Sequence, residues 1–317
     1  MYRCGAFAPF HWANRDKVLI LMYHGFSQQP HPHKIVAGEF AAHLDYLGKY
    51  HRVLPLSDVI ESLQNGKTLP RNTAVVTIDD GYADSYDIAF PLLKERQMPA
   101  TIYAVTDFLD GKCWLWTDLV RYILSETKGD AISIEVENET IETNLRDGIQ
   151  RLETAGRINS RLKKMPDDLK DKKIAEIASS LAVEIPAKPT GDFGPITWEQ
   201  AREMDAENVR IESHTVRHPI LTNIAAADLE FELANSKQRL EKMLDRPVEN
   251  FCYPNGSFNE NIRKAVERAG YQSATTTNYG FNVTHTDRFA LNRIDARAAI
   301  ANFAQSVSGF EAFRGQY

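Results

Sequence analysis

The sequence predicts an α/β protein built from repeated strand–helix units. Three observations predict it. Short apolar runs rich in Val and Ile alternate with longer stretches whose apolar residues recur at helical spacing. The 317 residues, 43% of them apolar, suffice for one large core or two modest ones. The three cysteines, Cys4, Cys113 and Cys252, lie far apart without a Cys-x-x-Cys pair, which argues against a disulfide scaffold and an all-cysteine zinc site.

In chain order, candidate strands occupy residues 17–23, 74–78, 100–105, 209–213, 250–253, 273–277 and 289–294. A helix over 39–50 follows from Phe40, Leu44 and Leu47, and one over 82–97 from Ile88, Leu92 and Leu93. The stripe Leu229, Leu233, Leu240, Leu244 predicts a helix over 228–244, and Gly270 stops another over 259–269. Residues 112–194 differ. They are rich in Lys, Glu and Asp, mostly helical in pattern (144–164, 169–181), with one weak strand-like stretch at 132–136 and a Pro/Gly-rich end. We read them as a mostly helical insertion carried by one βα loop of a single 1–317 domain, its charged faces solvated.

Charge excludes some partners. With 37 Lys+Arg against 43 Asp+Glu the net charge is −6, and no basic block suits nucleic acid or anionic lipid. The apolar runs fall short of the ~20 residues of a membrane span. The first residues lack the apolar core and small-residue cleavage site of a signal peptide. A reduced, cytoplasmic protein is the expectation; oligomeric state is not legible.

Two clusters carry chemistry. Val75–Ile78 ends in Asp79-Asp80-Gly81, two adjacent carboxylates at the strand end where βα proteins build their sites. Such a pair is costly to ionise without a nearby cation, although a turn with a capping Asp would look the same. The second is His214-Thr-Val-Arg-His218-Pro219, after another apolar strand. Pro219 disfavours a helix there, so the two imidazoles belong on a loop. One carboxylate and two neutral imidazoles, with positions left for water, form the donor set of a catalytic divalent metal.

These residues resemble a family. Thr77-Ile-Asp79-Asp80-Gly81 and His214-Thr-Val-Arg-His218 are similar to the Thr-Phe-Asp-Asp-Gly and His-Ser/Thr-x-x-His motifs of the polysaccharide deacetylases (NodB-homology domain, carbohydrate esterase family 4). Tyr253-Pro254-Asn255-Gly256 resembles that family's Tyr-Pro-x-Gly segment, and Tyr23-His24 its first-strand Tyr-His. The resemblance implies a distorted (β/α) barrel of seven or eight strands. It also implies metal-dependent removal of an N-acetyl, or an O-acetyl, group from a carbohydrate: an N-acetylated sugar, oligosaccharide or lipid-linked glycan. Carried over, Asp80, His214 and His218 would hold the metal. Zinc is the default, with Co, Ni, Mn or Fe also suited. Asp79 would be the general base, and the Tyr253 backbone N–H the oxyanion donor.

Two departures stand out. Where the family has Leu-x-His, this chain has Leu291-Asn-Arg293, and an arginine cannot act as the acid. Cys252 stands where the family's Arg-x-Pro places its arginine. The expectation is therefore that His24 supplies the acid and Arg293 pairs with Asp79. Tyr82, Trp114, Trp116, Pro254 and Asn255 are candidates for sugar contact. His31 and His33, in a proline-rich stretch, read as a loop and not a second metal site. Rival readings are a catalytically silent carbohydrate-binding relative and a metal-independent cyclic imide or amide hydrolase of the same fold.

Overall fold

The computed structural model describes residues 7–137, 139–296 and 299–311. Helix α1 (Ala8–Asn14) leads to the buried strand β1 (Leu19–Tyr23). A short parallel pair, β2 (Phe26–Ser27) and β3 (Ile35–Val36), brackets the proline-rich loop. Helix α2 (Ala37–Tyr50) then buries Phe40, Leu44 and Leu47, as their spacing requires. Strand β4 (Arg52–Val53) and helix α3 (Leu56–Gln64) precede β5 (Thr73–Asp80), which is buried along its whole length.

The helix expected over 82–97 is interrupted. A π-turn (Ser85–Ala89) runs into α4 (Phe90–Glu95), where Pro91 has no N–H for a regular turn. Strand β6 (Ala100–Ala104) and the short α5 (Thr106–Leu109) lead into residues 112–194, the stretch expected to be an insertion. There α6 (Trp116–Glu126), the antiparallel hairpin β7 (Ala131–Val136) and β8 (Glu139–Asn144), α7 (Gly148–Leu162) and α8 (Asp167–Ser180) gather an apolar cluster that also takes in Ile220. The chain returns through α9 (Trp198–Ala206), β9 (Val209–Ser213), α10 (Ala226–Leu244), β10 (Asn250–Cys252) and α11 (Glu260–Arg268). It finishes with β11 (Ser273–Thr275), β12 (Ile294–Asp295) and α12 (Ile300–Ser308).

Eight strands form one parallel sheet in the order β11-β10-β9-β6-β5-β1-β12, with β4 pairing the start of β5. Alternate residues face opposite ways, as the strand period dictates. Ile20, Val75, Tyr103 and Cys252 meet Leu56, Val59 and Ile60 of α3 in one cluster. Leu19, Leu21, Val76, Ile78 and Ile211 join the larger cluster with the surrounding helices. The run expected as a strand over 289–294 serves two neighbours instead. Leu291 bridges β11 at Thr275, and the chain then turns to pair Ile294 with Leu21 of β1. That segment links the two edges of the curled sheet, giving the distorted barrel that the family resemblance implies. The register aligns the strand ends: Tyr23 pairs Ile78, Asp79 pairs Tyr103, Ala104 pairs Ser213, and Ser213 pairs Phe251. The residues after them therefore share one rim. Among the described residues no helix is long and apolar enough to cross a membrane.

Candidate active site

The rim is built on strained backbone. Asp80, Thr215 and His218 adopt φ of 77°, 73° and 61°, a left-handed region that side chains seldom occupy and that clusters at functional sites. Gly81 follows at φ 88°. Gly256 (φ 69°) is obligatory in a second sense, because a Cβ there would stand 2.1 Å from Thr277 Oγ1.

Each metal-ligand candidate is fixed by its own scaffold. His214 sits one residue beyond β9, and its Nδ1 lies 2.8 Å from the Cys252 carbonyl oxygen. That carbonyl accepts the Nδ1 proton, which leaves the Nε2 lone pair free to face the rim. The loop to His218 is tied down by Glu232, a fully buried residue of α10. Its carboxylate accepts from the backbone N–H groups of Val216 (2.7 Å) and Arg217 (3.0 Å) and from Arg217 Nε (2.9 Å). His218 N–H donates to Thr215 Oγ1 at 2.9 Å. The result is convergence: Asp80 Oδ1 lies 3.6 Å from His214 Nε2 and 3.5 Å from His218 Nε2.

These separations exceed hydrogen bonds but fit donors around one ion, since bonds of ~2.1 Å in a tetrahedron set edges of roughly 3.4 Å. The electrostatics agree. Burial, with Asp79 and Asp118 adding, pushes the Asp80 carboxyl up to about 7 against the opposing pull of His214. Burial and His214 push His218 well below its ordinary value, keeping it a neutral donor. A buried carboxylate beside a second one, facing two imidazole Nε2 atoms, is matched to a cation. A second grouping, Asp79 with His214 and Cys252, fits less well. Burial drives the Cys252 thiol far up, and the Asp79 oxygens are already engaged.

What engages Asp79 is Arg293. Its two terminal nitrogens each reach one Asp79 oxygen at 2.7 Å, and its Nε donates to the Thr276 carbonyl at 2.8 Å. Burial alone would raise the Asp79 pKa; the guanidinium's charge and hydrogen bonds, then His24 and His214, hold it well below the usual carboxylate range. His24 Nε2 lies 3.7 Å from Asp79 Oδ2, with 46% of its side chain accessible. It faces the cavity, and desolvation lowers its pKa.

Above the rim opens a cavity of about 860 Å³, lined by His24, Asp79, Asp80, His214, His218 and Tyr82, and also by Tyr253 and Asn255. Tyr82 donates its hydroxyl to Asp118 at 2.6 Å. Tyr253 is buried and its hydroxyl donates to the Phe289 carbonyl. Its backbone N–H donates to Thr275 O at 3.1 Å, so it meets an oxyanion only if that bond opens. Pro254 is buried beneath the turn. Trp114 and Trp116 are not among the lining residues. Trp114 donates its indole N–H to Pro186 O and packs on Tyr122 and Phe193, while Trp116 is buried under Lys170 in the insertion. Sequence reasoning missed Glu232, whose one signal is a carboxylate beside the apolar stripe of its helix. It also missed Asp118, which no motif marks.

Comparisons with known proteins agree with this geometry. A family model described as polysaccharide deacetylase matches residues 66–274, from before β5 to within β11. YxkH of Bacillus subtilis strain 168, named for the same family, is 24% identical over 279 residues, covering 88% of this chain and 71% of its own. Among solved structures, the Streptococcus pyogenes deacetylase PplD in complex with acetate gives a TM-score of 0.62 at 19% identity, covering 92% of this chain and 99% of that one. IcaB from Ammonifex degensii gives 0.59 at 18% identity, covering 92% and 97%. These two establish a shared fold. The family match spans well over half of the 317 residues and takes in both motif-bearing strand ends. The chain therefore belongs to the polysaccharide deacetylase family of hydrolases.

Proposed function

We propose that the chain removes an N-acetyl group from a carbohydrate, with Asp80, His214 and His218 holding one divalent cation, zinc by donor preference. The observation that carries this reading is the meeting of one carboxylate and two imidazole Nε2 atoms beside a second carboxylate that Arg293 keeps ionised. When bound, such a cation acidifies water and polarises an acetyl carbonyl.

The chain's own residues do the rest. Asp79 is in its receptive, ionised form at any working pH and is oriented by two parallel hydrogen bonds, so it accepts a proton from the attacking water. A base this acidic holds a proton only briefly. His24, neutral at rest, is placed to take it and to deliver it to the departing amine. Tyr82 and Asn255 line the cavity where the sugar sits. The test is acetate release from N-acetylglucosamine oligomers by metal-loaded and chelated protein. Release that needs the metal supports the reading. Metal bound without release from a broad panel favours a silent binding relative, and amide turnover indifferent to chelator favours the imide hydrolase.

A further inference from the structure

The cavity runs on from the Asp80–His214–His218 rim to the insertion, and its far wall is cationic in a chain of net charge −6. Arg121 comes from α6, Arg151 from α7, and Lys163 is the residue that ends α7. Two of the anions nearby are committed. Asp118 accepts from Tyr82 (2.6 Å) and Arg121 (2.7 Å), and Lys34 pairs with Asp84 at 2.9 Å. Asp192 also lines the cavity, where its charge acts on His31. Arg151 donates to the carbonyls of Leu124 and Thr127. Lys163 Nζ has no hydrogen-bond or ion-pair partner among the described residues. Desolvation and then the charge of Arg121 push its pKa down, and Arg121 pushes on His33 too.

Like charges gathered on one wall repel, and the repulsion is relieved when an anion sits among them. The Lys163 turn is also anchored to the rim's own chain segment. Asn223, five residues after His218, donates its side-chain amide to the carbonyls of Lys163 (2.9 Å) and Met165 (3.0 Å). A volume of about 860 Å³ falls within the ~300–1,000 Å³ usual for ligand sites, so one ligand can touch both ends.

We propose that the substrate is an N-acetylated sugar carrying an anionic group, phosphate or carboxylate, which Lys163 and Arg121 seat while the acetyl group meets the Asp80–His214–His218 end. This rests on the deacetylase reading and makes the insertion the part of the fold that senses the charge of the substrate. Lys163 stands exposed at a helix end, so its replacement leaves the core intact.

The experiment compares a neutral N-acetylglucosamine saccharide with its phosphate- and carboxylate-bearing counterparts. The readouts are acetate release and calorimetric binding to metal-free protein. The charged forms are expected to have the lower KM, by about fivefold or more, with the preference shrinking as salt rises. Lys163→Glu should reverse the preference and abolish binding of the sugar phosphate to metal-free protein. The favoured one of the two anions identifies the group. Equal KM for neutral and charged sugars at low salt, with no Lys163-dependent binding, overturns the proposal and leaves deacetylation standing. Lys163-dependent binding of the sugar phosphate without acetate release from any substrate overturns deacetylation and leaves the anion seat.

Discussion

Asp79 and Asp80 are chain neighbours with opposite electrostatics, and the difference lies in what each one faces. Arg293 grips Asp79 from within the barrel, whereas Asp80 faces the Nε2 atoms of His214 and His218. Asp79→Asn should therefore lower turnover about 10²–10⁴-fold while the divalent metal stays bound, and His214→Ala should lose both. Metal content measured beside acetate release separates the two; equal metal loss in both variants would refute the division of labour. The Asp79 pKa is depressed, so by linkage its pairing stabilises the fold at neutral pH and is lost only in acid well below about 4. His24 has a lowered pKa and must be neutral to accept a proton. The rate should therefore fall with acidification through a pKa below about 6.5, not at neutral pH. His24→Ala should remove that limb and slow the reaction. Turnover near wild type at every pH would sink the assignment.

Among the elements, α10 matters beyond packing, because Glu232 satisfies three donors of the His218 loop at once. Glu232→Gln replaces an acceptor-only group with one that must place an N–H among donors. It should weaken metal affinity about 10–100-fold, as loss of a supporting contact does; an unchanged zinc titration would contradict this. The buried His51 ring is held at about 3 by burial and then by His11, against a small opposing pull from the Asn72 backbone. The unfolded chain binds that proton near pH 6.5 and the folded one does not. Stability should thus decline as pH falls from about 6.5 toward 3, by roughly 3 kcal/mol at pH 4. His51→Phe should flatten that slope in denaturant melts.

The same elements show what a sequence displays. Residues 209–213 are legible as a strand because Val209 and Ile211 alternate with Arg210 and Glu212, and β9 lies between β6 and β10. Strand β8 is not, since its burial leaves Ile141 as the one fully covered residue in a polar stretch. Strand β4 is too short to carry a period, whereas helix α3 does show one in Leu56, Val59, Ile60 and Leu63, and residues 289–294 look like one strand although they serve two neighbours. The Asp-Asp and His-x-x-x-His ends announce themselves through motif and chain order. Glu232 and Asp118 do not, because their work arises from tertiary contacts that span many residues of chain.

At the scale of the whole molecule, parallel strands deliver their C-terminal ends to one rim, and the insertion roofs the cavity above it with charges drawn from α6 and α7. A ligand bound only by the folded state stabilises it, so zinc at about a hundred times its Kd should add ~2.7 kcal/mol to unfolding, and a chelator should remove it. The proposed chemistry stands or falls with one cation joining Asp80, His214 and His218. A crystal of zinc-loaded protein, with anomalous scattering recorded at the zinc edge, decides it. A single peak bonded to an Asp80 oxygen and to both Nε2 atoms, with the Asp79–Arg293 pair intact beside it, is the predicted result. No peak at that rim, or a peak held by Asp79, His214 and Cys252, would contradict it.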